Sequence, residues 1–474
     1  NTINKAQKQM STRARTKWRE QMKYFKNKRE EQRKSQGELK KYINYALQRP
    51  NPENKPLTMF EQTNQGTIII DGETEIKNKE REVTAKHMGK GRKRNYIKNN
   101  TIIKELSQTK EGREWRIKLH EGKLTEQEWE SIPRKLRPVL KLAEMVKTKT
   151  GERMTKEKYG KIFEKEIEIE ELDKYLTTVK NNTAPGISGI RVDHIKALPR
   201  RHREGIAKLL SIPYMTGMGY TAWGEQIVNW IPKEEGNLDI NKRRPLMYYE
   251  VMWKICIGIR VRKVLQIWLR NGLIDENHYA FLTGKSTMQP LMIKKMIMEH
   301  ARHKNKTITM VDIDFSKAYD STEKFAKEMS LRRLGFPEEG IDLWQMYDNS
   351  RQMHVLTAYG NTKPITPECG AWGQGAPESP IGWLAFMSWM SDYVEQNSKS
   401  PYEYDTKTAM KKFTKVIYAD DGTYFQQTRK GAQQIVDAIS TFATATGIII
   451  QPEKSYIYSN QTGEPITITT YAGK

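Results

Sequence analysis

Cysteine is scarce in this sequence. The 474 residues include two cysteines, Cys256 and Cys369, and neither lies near a Cys-x-x-Cys or His-x-x-x-His pattern. A disulfide framework and a zinc site are therefore not expected. A reducing intracellular compartment is expected instead, either the nucleus or an organelle such as a mitochondrion or plastid. Because no apolar run approaches about 18 residues and no signal-peptide pattern is present, neither membrane association nor secretion is predicted.

Acidic residues are outnumbered by basic ones. The chain carries 81 Lys and Arg against 57 Asp and Glu, which gives a formal net charge of +24. Because neutralising phosphates releases condensed counterions, this excess favours a nucleic-acid partner over a merely soluble basic protein. The 22 Tyr and 11 Trp residues add surfaces on which bases can stack.

Residues 1–51 form a basic region that is predicted to be a helical arm. The first 50 residues hold 15 Lys and Arg against 4 Glu, and Trp18, Met22 and Phe25 fall at helical spacing. An organellar targeting segment and a solvated charged helix are the alternatives, but an arm that grips RNA suits the charge of the whole chain better. The candidate nucleic-acid contacts of this arm are Arg13, Arg15 and Lys17.

Residues 52–175 are predicted to form a second basic region that binds RNA and connects to the rest of the chain. One strand is predicted at Thr67–Ile70, and the stretch Lys86–Asn95 is strongly basic and interrupted by glycine. This stretch is predicted to be a phosphate-contacting loop, since it lacks the strand, the spacing and the Gly-Lys-Ser/Thr ending of a P-loop. Its candidate nucleic-acid contacts are Lys90, Arg92, Lys93 and Arg94.

From Ala184 onward the sequence has the apolar patterning of a globular core. A long helix is predicted over Tyr249–Leu269, with cations that include Arg260 at its edges. Before it, a predicted strand leads to Lys233, and a second basic cluster follows at Arg244 about ten residues on. Two strands joined by a loop, each with a cation near it, form a plausible clamp for a triphosphate; two ordinary surface cations are the alternative.

Carboxylates cluster at two predicted strands. The apolar runs of Val416–Phe425 flank Asp420 and Asp421, and Asp-Gly between such runs predicts a hairpin with an acidic tip. A strand predicted over Thr307–Phe315 places Asp312 and Asp314 on one face. Because such carboxylates are costly unless they are paired or bind a cation, a metal site is the first hypothesis and an ordinary surface turn the second.

Three motifs in this order resemble the A, B and C motifs of reverse transcriptases. They are Asp314-Phe-Ser-Lys-Ala-Tyr-Asp320, Gly373-Gln-Gly-Ala-Pro-Glu-Ser-Pro380 and Tyr418-Ala-Asp-Asp421. The resemblance is closest to the non-LTR retrotransposon (LINE-like) type, with group II intron maturases as relatives. Supporting matches occur in the same order over residues 180–460, among them Ala184-Pro-Gly, Arg244-Pro-Leu and Ala280-Phe-Leu-Thr-Gly-Lys-Ser-Thr287.

The resemblance implies an α+β right-hand polymerase fold, in which an antiparallel palm sheet packs on helices. Residues 176–305 would be the fingers and 306–474 the palm, with no thumb evident, after a basic and mainly helical N-terminal region. The implied activity is that of an RNA-directed DNA polymerase, which extends a 3′-hydroxyl with dNTPs by a two-metal mechanism. Two Mg²⁺ ions, or Mn²⁺, would be held by Asp314, Asp420 and Asp421. The implied partners are an RNA template and a DNA or RNA primer.

The resemblance also implies residues that bind the incoming nucleotide. Tyr319 matches the aromatic residue that lies under the sugar and excludes a 2′-hydroxyl, and Lys454 matches a lysine placed to protonate pyrophosphate. Gly373 departs from the family, which often has a basic residue there, and Asp312 has no assigned role beyond a structural hydrogen-bond network. The implied nucleotide-binding residues are Lys233, Arg244, Phe315, Tyr319, Gln374, Gly375 and Lys454.

Three other functions remain open at this point. The chain is an alternative candidate for an intron maturase, or for a domesticated reverse-transcriptase fold that serves as a structural RNA-binding subunit of a ribonucleoprotein. The three clustered acids argue against a purely structural role. Tyr319 argues against an RNA-dependent RNA polymerase, since that enzyme must admit a 2′-hydroxyl.

Overall fold

A computed structural model describes most of the chain from position 165 onward and parts of the chain before it. The described residues are 58–64, 66–90, 114, 118, 125–131, 156–159, 162–163, 165–234, 237–370, 372–406 and 408–468. The predicted basic arm therefore lies outside the described residues, and so do the predicted nucleic-acid contacts Arg92, Lys93 and Arg94.

The first described elements are a hairpin and three helices. They are β1 (Thr58–Thr63), β2 (Gly66–Asp71), α1 (Glu73–His87), α2 (Glu126–Ser131) and α3 (Lys156–Tyr159). The strand predicted at Thr67–Ile70 is confirmed as part of β2. Helix α1 has Glu73 and Glu75 in its first turn and basic residues in its last, an arrangement that suits the helix dipole. Because α1 continues to His87, the predicted phosphate-contacting loop begins at Met88 and not at Lys86.

The predicted fingers combine helices with a two-stranded ribbon. The elements are α4 (Ile169–Thr178), α5 (Val192–Lys196), α6 (Arg200–Thr216), β3 (Glu225–Pro232), β4 (Arg243–Tyr249), α7 (Val251–Arg270) and α8 (Met288–His303). Strands β3 and β4 are antiparallel, with Ile231 opposite Arg244. Arg260 of α7 is 1% exposed, its guanidinium lies 4.8 Å from the Tyr214 ring, and it donates to the Lys165 carbonyl, so its predicted place at the helix edge is wrong.

The predicted palm contains the remaining elements. They are β5 (Thr309–Ile313), β6 (Phe315–Ser316), α9 (Ala318–Ser321), α10 (Lys324–Arg333), α11 (Glu338–Ser350), β7 (Gln352–Thr357), β8 (Gly360–Asn361), α12 (Ser379–Asn397), β9 (Tyr402–Asp405), β10 (Met410–Phe413), β11 (Lys415–Tyr418), β12 (Asp421–Gln426), α13 (Arg429–Thr446), β13 (Ile449–Ile450) and β14 (Tyr456–Ser459). Its central sheet is antiparallel in the order β11-β12-β5-β14, and the ribbon extends into a second sheet in the order β4-β3-β7-β8.

Helix α12 is the centre of the core. Its residues from Ile381 to Met390 are all buried, because α10 packs on one side of the helix and α13 on another. Helix α13 in turn packs on β5 and β12. An antiparallel sheet on helices is the α+β architecture predicted from the sequence, and this fold class is confirmed.

Helix α1 is bound to the fingers and the palm by buried polar contacts. Arg243 donates to both carboxylate oxygens of Glu80, at 2.6 and 2.9 Å, and the two side chains are 6% and 4% exposed. The Trp230 indole N–H donates to the Thr84 hydroxyl at 2.9 Å. After the helix, the Met88 carbonyl accepts the backbone N–H of Cys369 at 3.0 Å. Helix α1 is thus packed against residues that lie more than about a hundred positions later in the sequence.

Candidate active site

The acidic hairpin is formed by β11 and β12. Its turn lies two residues before Asp421-Gly422, the pair that signals a hairpin in the sequence. Tyr418 and Asp421 are the last paired residues, so Ala419 and Asp420 form the turn. Ala419 has φ of +57°, and a positive φ at the first central residue is characteristic of a type II′ turn. Gly422 is not in the turn. It pairs with strands on both sides, and a Cβ atom there would lie 2.9 Å from the Tyr424 hydroxyl oxygen.

Asp314 lies at a break between two strands. The predicted strand Thr307–Phe315 is interrupted there, because β5 pairs with β12 whereas β6 pairs with β13. The Asp314 N–H donates to the Ser455 hydroxyl at 3.2 Å, and its carbonyl accepts the Gln451 N–H at 2.9 Å. Ile313, the last residue of β5, pairs with Gly422, so Asp314 and Asp421 each adjoin one residue of this pair.

Two of the three predicted metal ligands, Asp420 and Asp421, have raised pKa values. Burial, together with repulsion from Asp421 and Asp314, raises the pKa of Asp420 above its usual range. Desolvation and repulsion from Asp314 and Asp312 likewise raise the pKa of Asp421. Within the part of the chain that the structure describes, no three acidic, His or Cys side chains converge closely enough to form a preassembled metal site. The donor set nevertheless fits Mg²⁺, which prefers carboxylate oxygens.

Asp312 has partners of its own. Its Oδ2 accepts from Lys294 Nζ at 2.6 Å, and its Oδ1 accepts from the Thr423 hydroxyl at 2.5 Å. Both carboxylate oxygens are thus engaged in an ion pair and a cross-strand hydrogen bond. This geometry fits the structural hydrogen-bond network that was the one role suggested for Asp312 from the sequence.

Tyr319 packs against a tryptophan that the sequence analysis did not single out. Its ring stacks on Trp383 of α12, with ring centroids 4.7 Å apart and planes 25° apart. The Trp383 indole N–H donates to the Ala419 carbonyl at 3.0 Å, which connects α12 to the turn of the hairpin. Burial, with repulsion from Asp420, raises the pKa of Tyr319 above its usual range, so the phenol is neutral.

The B-motif loop is pressed against β4. The Gln374 carbonyl accepts the Met247 N–H at 3.1 Å, and the Gln374 side-chain amide lies 3.5 Å from Asp320. Gly375 has φ of +106°, and a Cβ atom there would lie 2.7 Å from the Met247 carbonyl oxygen. At Gly373 a Cβ atom would lie 1.7 Å from the Tyr249 hydroxyl oxygen. The family's basic residue therefore has no room at this position.

The other predicted nucleotide-binding residues lie in different environments. Lys233 and Arg244 are exposed and share one face of the β3–β4 ribbon, because Ile231 pairs with Arg244 and side chains alternate along a strand. Lys454 is exposed in a single turn that follows Gln451. Phe315 is 4% exposed, and its side chain packs in the core.

Asp320 is bound by His87, the last residue of α1. It is 1% exposed, and its Oδ2 accepts the His87 Nε2–H at 3.0 Å. The His87 ring packs edge-on against Trp230, with centroids 4.9 Å apart. Since Asp320 follows Tyr319 directly, α1 reaches the residues that surround the predicted sugar site. Sequence patterning gave no indication of this contact.

A cavity of about 980 Å³ opens between α1 and the palm. Its wall includes Pro364 and Ile449, which supply apolar surface, and Ser321, which follows Asp320. Among the predicted nucleic-acid contacts, Lys90 lies in this wall and is exposed. The cationic lining residues are Arg81, Lys86, Lys90 and Lys317.

Comparison with known proteins identifies the family. The family described as "Reverse transcriptase (RNA-dependent DNA polymerase)" matches residues 231–468, which is half of the 474-residue chain. The chain belongs to the reverse transcriptase family. The curated relatives that it matches come from R1 and R2 retrotransposable elements, so it is of the non-LTR retrotransposon type predicted from the sequence. Reverse transcriptases in general use divalent metal ions and bind a nucleic-acid template and primer.

The relatives are distant and much longer than this chain. The chain is 25% identical over 228 residues to the Pol polyprotein of the type-1 retrotransposable element R2 of Nasonia vitripennis, covering 48% of the chain and 21% of the relative. It is 21% identical over 293 residues to that of the type-2 element R2DM of Drosophila melanogaster, covering 61% and 26%. A solved apo telomerase from Candida tropicalis, truncated from its C-terminal domain, aligns with a TM-score of 0.40 and 14% identity, covering 56% of this chain and 57% of that one.

One further feature concerns membranes. None of the helices in the described ranges is both long enough and apolar enough to cross a membrane.

Proposed function

We propose that this chain is the RNA-directed DNA polymerase of a non-LTR retrotransposon, which extends a 3′-hydroxyl with dNTPs. The observation that carries the proposal is the position of Asp314, Asp420 and Asp421 at one end of the palm sheet: Asp420 and Asp421 are consecutive in the hairpin, and Asp314 follows Ile313, which pairs with the neighbour of Asp421. A fold gains no stability from crowding like charges. Their placement is instead useful for a reaction in which cations bind there.

The three carboxylates are assigned as ligands of two Mg²⁺ ions, with Mn²⁺ as a substitute. Bound divalent cations would activate the primer 3′-hydroxyl and stabilise the pyrophosphate leaving group. Asp314 is fixed through its backbone by Ser455 and Gln451, and Asp420 is fixed by its place in a tight turn. The backbones that carry two of the three oxygen donors are thus held in place by the surrounding structure.

The nucleotide is assigned to the space between the ribbon and the palm. Lys233 and Arg244 share the open face of the ribbon and would bind the triphosphate, for which two exposed cations on adjacent strands are suited. Tyr319 would lie under the sugar and exclude a 2′-hydroxyl, because Trp383 supports its ring from behind. Gln374 and Gly375 would line the base, and Lys454 would protonate the leaving pyrophosphate.

The partners follow from the charge of the chain. An RNA template and a DNA or RNA primer are assigned as substrates, and a structured RNA in a ribonucleoprotein is a further partner. The cavity beside α1, which includes Lys90, is suited to phosphates because four cations in its lining outnumber two carboxylates, Glu82 and Glu368. The compartment proposed is intracellular, in the nucleus or an organelle.

A primer-extension assay tests this function. The purified chain, with an annealed RNA template and DNA primer, Mg²⁺ and dNTPs, is expected to incorporate dNTPs, and Asp420→Asn with Asp421→Asn is expected to reduce incorporation to background. The control is Asp342→Asn, which removes an exposed carboxylate on α11 and is expected to leave the rate unchanged. An inactive wild type that still binds RNA tightly, with both Mg²⁺ and Mn²⁺ present, would refute the polymerase and favour the structural subunit.

A further inference from the structure

We infer that Trp383 is a positioning residue, which fixes both the sugar gate Tyr319 and the turn that carries Asp420. The inference rests on the proposed function, because it concerns the roles of those two residues. Trp383 itself contacts no reacting group. It acts through one ring stack and one hydrogen bond.

The Trp383 ring, on which Tyr319 stacks, is itself packed against other aromatic rings. Trp383 is fully buried, and its ring also stacks on Phe386, with centroids 5.0 Å apart and planes 27° apart. Phe386 in turn meets Phe442 of α13 edge-on at 5.3 Å. The column of successive ring contacts runs from α9 through α12 to α13, and it consists of Tyr319, Trp383, Phe386 and Phe442. Because protein interiors are close-packed, Tyr319 cannot move away from a 2′-hydroxyl without displacing this column.

The hydrogen bond holds the other half of the site. The Ala419 carbonyl that accepts from Trp383 belongs to the first turn residue, whose backbone is in the left-handed region. Such a conformation is costly for a residue with a Cβ atom and persists where surrounding contacts determine it. The indole N–H is one such contact. Asp420, the next residue, takes its direction from this peptide.

Trp383 differs from its neighbours in having a hydrogen bond for its indole. The buried indole nitrogens of Trp344, Trp372 and Trp389 have no hydrogen-bond partner. Trp389 lies in the same helix, is 2% exposed and also packs against Phe442, at 5.1 Å. It is therefore a matched control for the loss of a buried indole from α12.

Two substitutions separate the two contacts. Trp383→Phe keeps an aromatic ring against Tyr319 and removes the N–H, so kcat for dNTPs is expected to fall about three- to tenfold, the value of one hydrogen bond, with KM unchanged. Trp383→Met also removes the stack. The preference for dNTPs over rNTPs is then expected to fall a further two- to tenfold, about the value of an aromatic pair. Trp389→Phe and Trp389→Met are expected to leave both quantities within about twofold of wild type.

A binding measurement without turnover checks the hydrogen bond independently. Mn²⁺ binding to the wild type, to Trp383→Phe and to Trp389→Phe is followed by electron paramagnetic resonance in the absence of nucleotide. The affinity is expected to fall about three- to tenfold in Trp383→Phe alone. Thermal unfolding of each variant shows that it is folded at the assay temperature. If Trp383→Met is not folded, Trp383→Phe still decides between a positioning and a packing role.

The outcomes distinguish this inference from the function on which it rests. A wild type that incorporates no dNTP refutes the proposed function, whereas equal Mn²⁺ affinities for the wild type and Trp383→Phe refute the hydrogen bond's role in either case. An active wild type whose Trp383 variants match the Trp389 variants in sugar preference, kcat and Mn²⁺ affinity refutes the inference. The expected pattern is a kcat and Mn²⁺ defect in Trp383→Phe, with loss of sugar preference only in Trp383→Met.

Discussion

Replacing Arg243 and Arg244 one at a time by alanine is expected to give opposite phenotypes. The two residues are adjacent in β4, so their side chains leave opposite faces of the ribbon. Arg243 is buried against α1, where it donates to both oxygens of Glu80 and to the Ile240 carbonyl, and its guanidinium lies 5.2 Å from the centre of the Trp230 ring. Arg244 is exposed on the face assigned to the nucleotide.

The magnitude for Arg243→Ala follows from the buried pair. Removing one partner leaves the Glu80 side chain, which is 4% exposed, without its ion-pair partner, and breaking a buried pair in this way costs about 3–5 kcal/mol. The lost contact with Trp230 adds about 1 kcal/mol at most, and the two losses are not fully additive. A loss of about 3–5 kcal/mol is a large share of the roughly 5–15 kcal/mol that stabilises a typical protein. Because the Tm shift per kcal/mol decreases with chain length, we expect the Tm of this 474-residue chain to fall by roughly 3–8 °C.

Arg244→Ala is expected to keep its stability and lose nucleotide affinity. Exposed substitutions change the free energy of unfolding by about 0.5 kcal/mol or less. A hydrogen bond to a charged group contributes about 1.5–3 kcal/mol, so the KM for dNTPs should rise by about ten- to a hundredfold. Thermal unfolding and single-nucleotide incorporation, measured on the same preparations, separate the two effects.

A compensating pair provides the control for Arg243. Replacing a buried ion pair by apolar residues of similar volume is often neutral, so Glu80→Leu combined with Arg243→Met should recover much of the stability that Arg243→Ala loses. A Tm for Arg243→Ala within about 2 °C of wild type would refute the reasoning, because a buried unpaired carboxylate cannot be that inexpensive. Equal destabilisation by Arg244→Ala would refute the assignment of the two faces.

Two further predictions concern the site. The pKa values of Asp420 and Asp421 are raised in the native state, so the native state binds more protons than the unfolded chain. The stability that these groups contribute is present below the unfolded pKa of about 3.9. It is lost as the pH rises through the native pKa values. Without metal at pH 7, Asp420→Asn with Asp421→Asn should therefore raise the Tm, and Mn²⁺ should raise the Tm of the wild type alone; a lower Tm for the metal-free variant would contradict this. Tyr319→Ala should increase the use of rNTPs relative to dNTPs by at least about tenfold, since it opens the space for a 2′-hydroxyl, and an unchanged ratio in competition assays would contradict the gate.

The sequence predicted the parts of the site that depend on local patterning. Alternating apolar residues around Asp420 predict a hairpin wherever the strands pair, and the strand before Asp314 follows from the same periodicity. The position of the turn was wrong because Gly422 suits a turn equally well. Packing against the Tyr424 ring, which local sequence does not reveal, places this glycine inside the sheet.

The contacts made by α1 and α12 could not be predicted from local sequence patterns, for two physical reasons. Glu80 and Arg243 are 163 residues apart, and His87 and Asp320 are 233 apart, while charged residues are usually exposed. A buried pair therefore looks like two surface charges until the fold brings the residues together. Trp383 was missed for another reason: α12 is apolar on every side, so periodicity does not distinguish one tryptophan in it from the next.

The N-terminal region was predicted as a separate RNA-binding connector, but α1 has a second role that follows from its buried contacts. Without α1, Arg243 would lose its carboxylate partner and Trp230 its hydroxyl partner. The Asp320 carboxylate would lose its 3.0 Å hydrogen bond from His87 and keep a longer one, at 3.5 Å, from Gln374. Each of these residues borders the ribbon or the sugar gate. A helix that lies outside the residues matched by the family therefore completes the buried polar network behind the proposed active site.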